Sequence, residues 1–189
     1  MPKPLLVKIE NLDFSFEHSP VKVIANRNCP EIKLVGLDVG PFEEGDEYEI
    51  QYWIANELEK AGIVRLREED CLDAIKLYKM QWTERVQTAG QMSKLPEDFY
   101  PKLRRCLTRL KADIAKNPEK MREYEKIGHL TQDIVNSRLK KVVSLASASA
   151  ETEQMLKNFT GEERFLYEQI YTLIREWRTQ ILECEASEK

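Results

Sequence analysis

Histidine is almost missing from this chain: His18 and His129 are the only two in 189 residues. A Ser-His-Asp or Cys-His catalytic set would have to recruit one of them. His18 falls in the polar turn Phe16-Glu17-His18-Ser19-Pro20, His129 falls in the middle of a helical pattern, and no serine has a GxSxG context. Cysteine is scarce and dispersed. Cys29, Cys71, Cys106 and Cys184 are too far apart for a CxxC zinc or redox pair, so they read as small core hydrophobes of a reducing compartment. With 7 glycines and 8 prolines there is little material for Gly-rich active-site loops, and neither GxxxxGK[ST] nor GxGxxG occurs. Long apolar runs are absent too. No stretch reaches the ~18 residues of a membrane span, and Met1–Lys8 has no signal-peptide core. These absences predict a soluble protein with no catalytic residue, no cofactor, no metal and no membrane partner.

What is present points to a packed, charged domain. Hydrophobic residues make up 42% and charged residues 33%, too apolar for disorder. The net charge of −4 hides a split: residues 1–70 carry 8 basic and 15 acidic side chains, residues 71–189 carry 21 and 18. An acidic front and a weakly basic back do not make a stand-alone DNA binder. The string Glu43, Glu44, Asp46, Glu47, Glu49 lacks the ligand alternation of an EF-hand and reads as a solvated turn.

Periodicity changes near residue 70, which divides the chain into residues 1–70 and 71–189. Val21–Ala25, Glu31–Val35, Glu47–Ile50 and Ile63–Leu66 read as strands, and residues 51–61 as a helix stopped by Gly62. From Cys71 on the pattern is helical. Cys71, Ile75, Tyr78, Trp82 and Val86 form one stripe; Phe99, Leu103, Cys106/Leu107, Leu110 and Ile114 form another. The second of these helices starts near Asp98, with Pro101 in its first turn. Asn117-Pro118 reads as N-cap and N1 of a long helix over 118–146 with stripes Ile127, Leu130, Ile134 and Leu139, Val142, Ala146. Residues 144–158 read as frayed helix or linker. Thr160-Gly161-Glu162-Glu163 fits a capping box opening a last helix whose apolar residues cover more of its circumference than one core contact needs. That excess predicts a second packing partner. The fold class is α+β: a small β-rich module followed by a helical bundle.

Basic side chains cluster on two of these helices. Arg105 and Arg109, and Arg138 and Lys141, share helix faces at steps of four and three, and are the candidate phosphate or partner contacts.

Two segments carry a resemblance. Leu34-Val35-Gly36-Leu37-Asp38-Val39-Gly40-Pro41-Phe42-Glu43-Glu44-Gly45-Asp46-Glu47-Tyr48-Glu49-Ile50-Gln51-Tyr52-Trp53-Ile54-Ala55-Asn56-Glu57-Leu58 resembles the small B domain of GINS complex subunits, with Gln51 where that family often has proline. Leu95-Pro96-Glu97-Asp98-Phe99-Tyr100 resembles the opening of the helical A domain. The order, B then A, is that of the β-rich-first class, and the compact size suits an archaeal subunit at least as well as a eukaryotic one. The resemblance implies a non-enzymatic brick of a heterotetramer that packs through A domains against an A-first sister subunit. It also implies binding to the MCM replicative helicase and a RecJ-like protein in DNA replication, with DNA touched only weakly or indirectly. On this reading Trp82, Phe99, Tyr100, Tyr167, Tyr171 and Trp177 lie in or beside the subunit interface, and Phe42 and Trp53 hold the B-domain core. The location would be cytoplasmic at the nucleoid in an archaeon, nuclear in a eukaryote. The competing reading is a nucleic-acid adaptor using the first module as a winged-helix-like reader. Its recognition helix, residues 51–61, would present Glu57, Glu59 and a single lysine to phosphate, which is the wrong sign.

Overall fold

The computed structural model describes residues 4–67, 71–87, 91–115, 117–148 and 156–182. They form two compact units: Glu10–Leu72, and Met1–Ile9 grouped with Asp73–Lys189. Helix α1 (Pro4–Glu17) spans that division. The first residues therefore differ from the sequence expectation, which gave them no element and placed all of 1–70 in one domain.

In the smaller unit, β1 (Pro20–Ala25) is the centre of a three-stranded antiparallel sheet, flanked by β4 (Glu47–Gln51) and β5 (Val64–Leu66). Val23 pairs with Tyr48 on one side and Leu66 on the other. Alternation along β1 sends Val23 and Ala25 inward, both buried. A hairpin of β2 (Ile32–Leu34) and β3 (Leu37–Val39) follows β1. The sequence pattern treats 31–35 as one strand and misses β3, whose three residues are too short to show a period.

The chain then turns through a cis Gly40-Pro41 peptide, and Phe42 bridges back to Cys29 through a reciprocal pair of backbone hydrogen bonds. Phe42 is 1% exposed and packs with Val23, Val39, Ile54, Ala55, Leu58 and Val64. Burying such a ring contributes about 1.5–3 kcal/mol. Helix α2 (Tyr52–Lys60) supplies Ile54, Ala55 and Leu58 to this cluster. Gln51 is its N-cap in extended conformation, so the helix begins without the proline that the family often uses.

Gly40 holds this plug in place. Its φ is +95°, and a Cβ there would meet the Phe42 ring at 3.2 Å. Gly40→Ala should therefore cost about 1–2 kcal/mol from the left-handed backbone, plus whatever shift the ring requires. A lower thermal midpoint of the smaller unit's unfolding would register it; an unchanged midpoint would show that the turn relaxes freely.

The larger unit contains α3 (Ala74–Val86), α4 (Phe99–Ile114), a 3-10 turn (Pro118–Lys120), α5 (Met121–Ser147) and α6 (Gly161–Leu182). Asn117 precedes Pro118 as expected, but the first turn is 3-10 and the α-helix proper begins at Met121. Of the linker expected over 144–158, residues 144–147 continue α5, while 149–155 lie outside the described residues. Cys184 also lies outside them; Cys29, Cys71 and Cys106 are not in disulfides. Helix α5 is the axis of the unit, with α3, α4 and α6 each packed on it. Its inward row is Ile127, Leu130, Ile134, Arg138, Val142 and Ala146, at steps of three and four. No helix among the described residues is long and apolar enough to cross a membrane.

Candidate subunit interface

A charged group sits where α5's inward row would be expected to continue with an apolar residue. Arg138 has no exposed surface. Its guanidinium donates through Nε and Nη2 to Glu163 on α6, through Nη1 to Glu84 on α3 (2.9 Å) and to the Ser93 carbonyl (2.8 Å), and through Nη2 to the Asn158 carbonyl (3.0 Å). One side chain thus ties together α3, the 91–98 segment, the 156–160 segment and α6. A planar fork of donors suits this task.

The carboxylates are satisfied in turn. Glu84 accepts from Ser93 Oγ at 2.5 Å and has the Lys141 ammonium 2.7 Å from its Oε1. Glu163 accepts from the Tyr100 hydroxyl at 2.7 Å and from Thr160 N at 3.0 Å, while Thr160 Oγ1 accepts from Glu163 N at 3.4 Å. The last pair is the reciprocal capping box expected at the start of α6.

Burial pushes the Glu84 carboxyl up, but hydrogen bonds from Lys141 and Ser93 and the charge of Arg138 outweigh it and hold the carboxyl below its ordinary 4.5. Burial, and then the neighbouring Glu163 charge, push the Tyr100 phenol far above its ordinary range, so it remains a donor. For an acid whose folded value is depressed, the stabilisation is present above the unfolded value and lost as pH falls through the folded one. The larger unit should therefore keep its stability down to about pH 4.5 and lose it below. In Glu84→Gln that acid limb should be shallower and the neutral-pH stability lower, measured by denaturant midpoint against pH. Parallel acid limbs for both proteins would contradict this.

The frame faces inward, but two apolar rows face out. On α3, Ile75, Tyr78, Trp82 and Val86 are 55–68% exposed, although they form the helix's apolar stripe. The opposite face, with Leu77 and Glu84 fully buried, is the one that meets α5. On α6 the first half buries Glu162, Glu163 and Tyr167, whereas Leu173, Trp177, Ile181 and Leu182 in the second half are 57–78% exposed. Leu139 and Val143, one turn apart on α5, add a third partly open patch. Rows of this kind, with large aromatic residues at their centres, are what a subunit interface requires.

The sequence-nominated residues divide accordingly. Trp82 and Trp177 are open, at 59% and 60%. Phe99 and Tyr167 belong to the chain's own core, at 1% and 7%, which corrects their assignment to the interface. Phe99 begins α4's inward stripe, and Tyr167 packs between Phe159 and Tyr171. Tyr100 and Tyr171 are half-buried, the first hydrogen-bonded to Glu163 and the second stacked on Tyr167.

Arg138 is likewise corrected as a phosphate or partner contact, being fully buried and held by Glu84 and Glu163, while the Lys141 ammonium lies 2.7 Å from Glu84 with its side chain 11% exposed. Arg105 donates to the Pro101 carbonyl, and Arg109 lies on the exposed side of α4. Phe42 stands in the sheet unit's core; Trp53 is 38% exposed with its indole N–H donating to Gln51 Oε1 at 2.6 Å, which corrects its assignment to that core. Among the described residues, no group of three or more His, Cys, Asp or Glu side chains could hold a metal ion.

The chain is thus a helical bundle braced by a buried ion network, with open aromatic rows on two of its helices, and a small α+β unit before it in sequence. Residues 71–182, more than half of the chain, match the GINS complex protein helical bundle domain, and the chain belongs to that family. Residues 8–66 match the PSF2 N-terminal domain. Over 131 residues, 69% of this chain, it is 28% identical to the human DNA replication complex GINS protein PSF2 and 25% identical to its counterpart in Xenopus laevis. The matched stretch spans 66% of each relative's length.

Proposed function

We propose that the chain is a non-catalytic subunit of a GINS-type assembly in DNA replication, corresponding to its PSF2-like, B-first member. The observation that carries this reading is the pair of open rows, Ile75–Tyr78–Trp82–Val86 on α3 and Leu173–Trp177–Ile181 on α6. A lone chain would leave them in water, where a packed partner removes apolar area at roughly 25 cal/mol per Å². The helical unit is the assembly module, and the A-first sister subunit is its partner. The finished body scaffolds and activates the MCM helicase with a RecJ-like partner. It works where DNA is replicated: the nucleus of a eukaryote, or the nucleoid of an archaeon. DNA contact is weak or indirect, since two of the four candidate basic side chains, Arg138 and Lys141, are engaged internally by Glu84.

The test is the native mass of the chain expressed with and without its sister subunits. The expected result is a stable complex well above the 22.2 kDa of the single chain, and self-association or poor solubility when alone. A well-behaved 22.2 kDa monomer that ignores the sisters would overturn the proposal.

A further inference from the structure

Residues 30–41 leave the body of the smaller unit as an excursion closed at its base by the reciprocal Cys29–Phe42 hydrogen bonds. The β2–β3 hairpin fills it, and burial falls along its length. Val39 is buried at the base and Ile32 packs against the unit's core, whereas Leu34 and Leu37, paired just before the turn, are exposed and Val35 in the turn is fully exposed. At about 3.3 Å per residue the tip stands roughly 10 Å beyond the base. The turn does not require three aliphatic side chains in water. Gly36 takes the position with φ +80°, and Val35 has a negative φ that a polar residue would adopt as readily. The flanking chain is acidic: residues 28–49 hold seven carboxylates, all on exposed residues, against one lysine, Lys33. Lys33 lies 4.0 Å from Glu31 and Arg67 lies 3.6 Å from Glu47, while Asp38, Glu43, Glu44 and Asp46 have no cation partner among the described residues. The Glu44 backbone N–H donates to Asn28 Oδ1 at 2.7 Å, which fixes the acidic turn beside the hairpin's base.

We propose that this hairpin docks a basic protein outside the subunit assembly. Its aliphatic tip, Leu34, Val35 and Leu37, enters an apolar socket, and Asp38, Glu43, Glu44 and Asp46 meet lysine or arginine on the socket's rim. Charge selects the occupant. Residues 10–72 carry 6 basic and 15 acidic side chains, a balance of −9. That field repels nucleic acid and an anionic lipid surface, and it repels the same unit of a second copy. It attracts a cationic protein surface. The charges speed encounter and fix register, and the aliphatic tip holds the complex once water is excluded. Docking through the tip is independent of the assembly reading, which uses α3 and α6, so the two can fail separately.

The experiment puts a photo-crosslinking phenylalanine analogue in place of Val35 in the full chain in its native cells, with the same group in place of the exposed Lys60 as control. Light should join position 35 to one polypeptide, identified by mass spectrometry, at a peptide that combines apolar residues with lysine or arginine, in several times the yield from position 60. With that polypeptide purified, Val35→Asp should weaken its binding to the full chain at least tenfold. Glu43→Lys combined with Glu44→Lys should weaken binding several-fold at low salt and little at high salt. Val35→Ser should leave the native mass with the sister subunits unchanged. It should also leave the thermal midpoint of the isolated chain unchanged, since a fully exposed side chain supports no packing. No crosslink above the control overturns the proposal, as does a crosslink to lipid, nucleic acid, a sister subunit or a second copy, or to a peptide without cations. Loss of the sister subunits in Val35→Ser would make the tip part of the subunit interface, and a midpoint drop of several degrees would make it part of the fold; either overturns the proposal. Failure of the unsubstituted chain to join its sisters would refute the assembly reading and leave the result at position 35 standing.

Discussion

Arg138→Met should cost the helical unit about 3–5 kcal/mol, the range for removing one partner from a buried ion pair. The substituted chain would bury the carboxylates of Glu84 and Glu163 without the cation that neutralises both, and would leave the Ser93 and Asn158 carbonyls without their donor. Lys141 and the Tyr100 hydroxyl would remain, so the loss should fall short of complete unfolding. Arg138→Lys keeps the charge but cannot span four acceptors with one ammonium, and should recover less than half of the loss. A denaturant titration reads all three proteins. Because Arg138 fastens the N-terminal turn of α6 to α3 and α5, the methionine variant should also weaken subunit association through misplacement of α6. An Arg138→Met protein as stable as the wild type would mean that the network is ornamental to the fold.

Trp82→Ala and Trp177→Ala should each weaken association with the sister subunits by about 2 kcal/mol or more, roughly thirtyfold. Each should change the stability of the isolated chain by no more than about 0.5 kcal/mol, as is usual for exposed positions. The asymmetry follows from burial: both indoles are about 60% exposed in the single chain, so little is lost when they are removed and much is lost when the surface they would seal is covered. Tyr171→Ala is the contrast. Its ring stacks on Tyr167 at 5.8 Å and packs on the Met92–Val142–Phe159 cluster, so the isolated chain itself should lose stability. If the tryptophan variants destabilise the isolated chain and leave association untouched, those rings are private packing and the interface lies elsewhere.

Local signals in the sequence carried over to the structure where the deciding interaction is itself local. β1, β4 and β5, helix α2 and the Thr160–Glu163 box appear within a residue or two of their expected bounds, because alternation, a stop glycine and a cap are written in neighbouring residues. The α+β class follows from the same signals. Helix α1 was missed, since its acids and apolar residues make no clean period.

The direction of a stripe was not legible at all. Periodicity says that Ile75, Tyr78, Trp82 and Val86 share a face; it cannot say whether that face meets α5 or another molecule. The structure gives α5 the other face, with Leu77 and Glu84. The same ambiguity placed Phe99 and Tyr167 at a boundary when they are core.

Arg138 had a signal that charge obscured. A step of four from Ile134 lands on it, and four more reaches Val142, so it stood in the buried register all along. Leu139, the expected member of that row, is 43% exposed instead. A charged residue in an inward register, with acids in the inward register of α3 and at N3 of α6, is the pattern of a buried ion network rather than a phosphate site.

The most direct measurement is collisional quenching of single-tryptophan chains that retain only Trp82 or only Trp177, with the other indoles replaced by phenylalanine. Acrylamide should quench both efficiently in the isolated chain. In the complex with the sister subunits, quenching of both should fall several-fold and their emission should shift to the blue. Unchanged quenching at both positions in a complex of verified mass would contradict the claim that the open rows of α3 and α6 are what this chain assembles through.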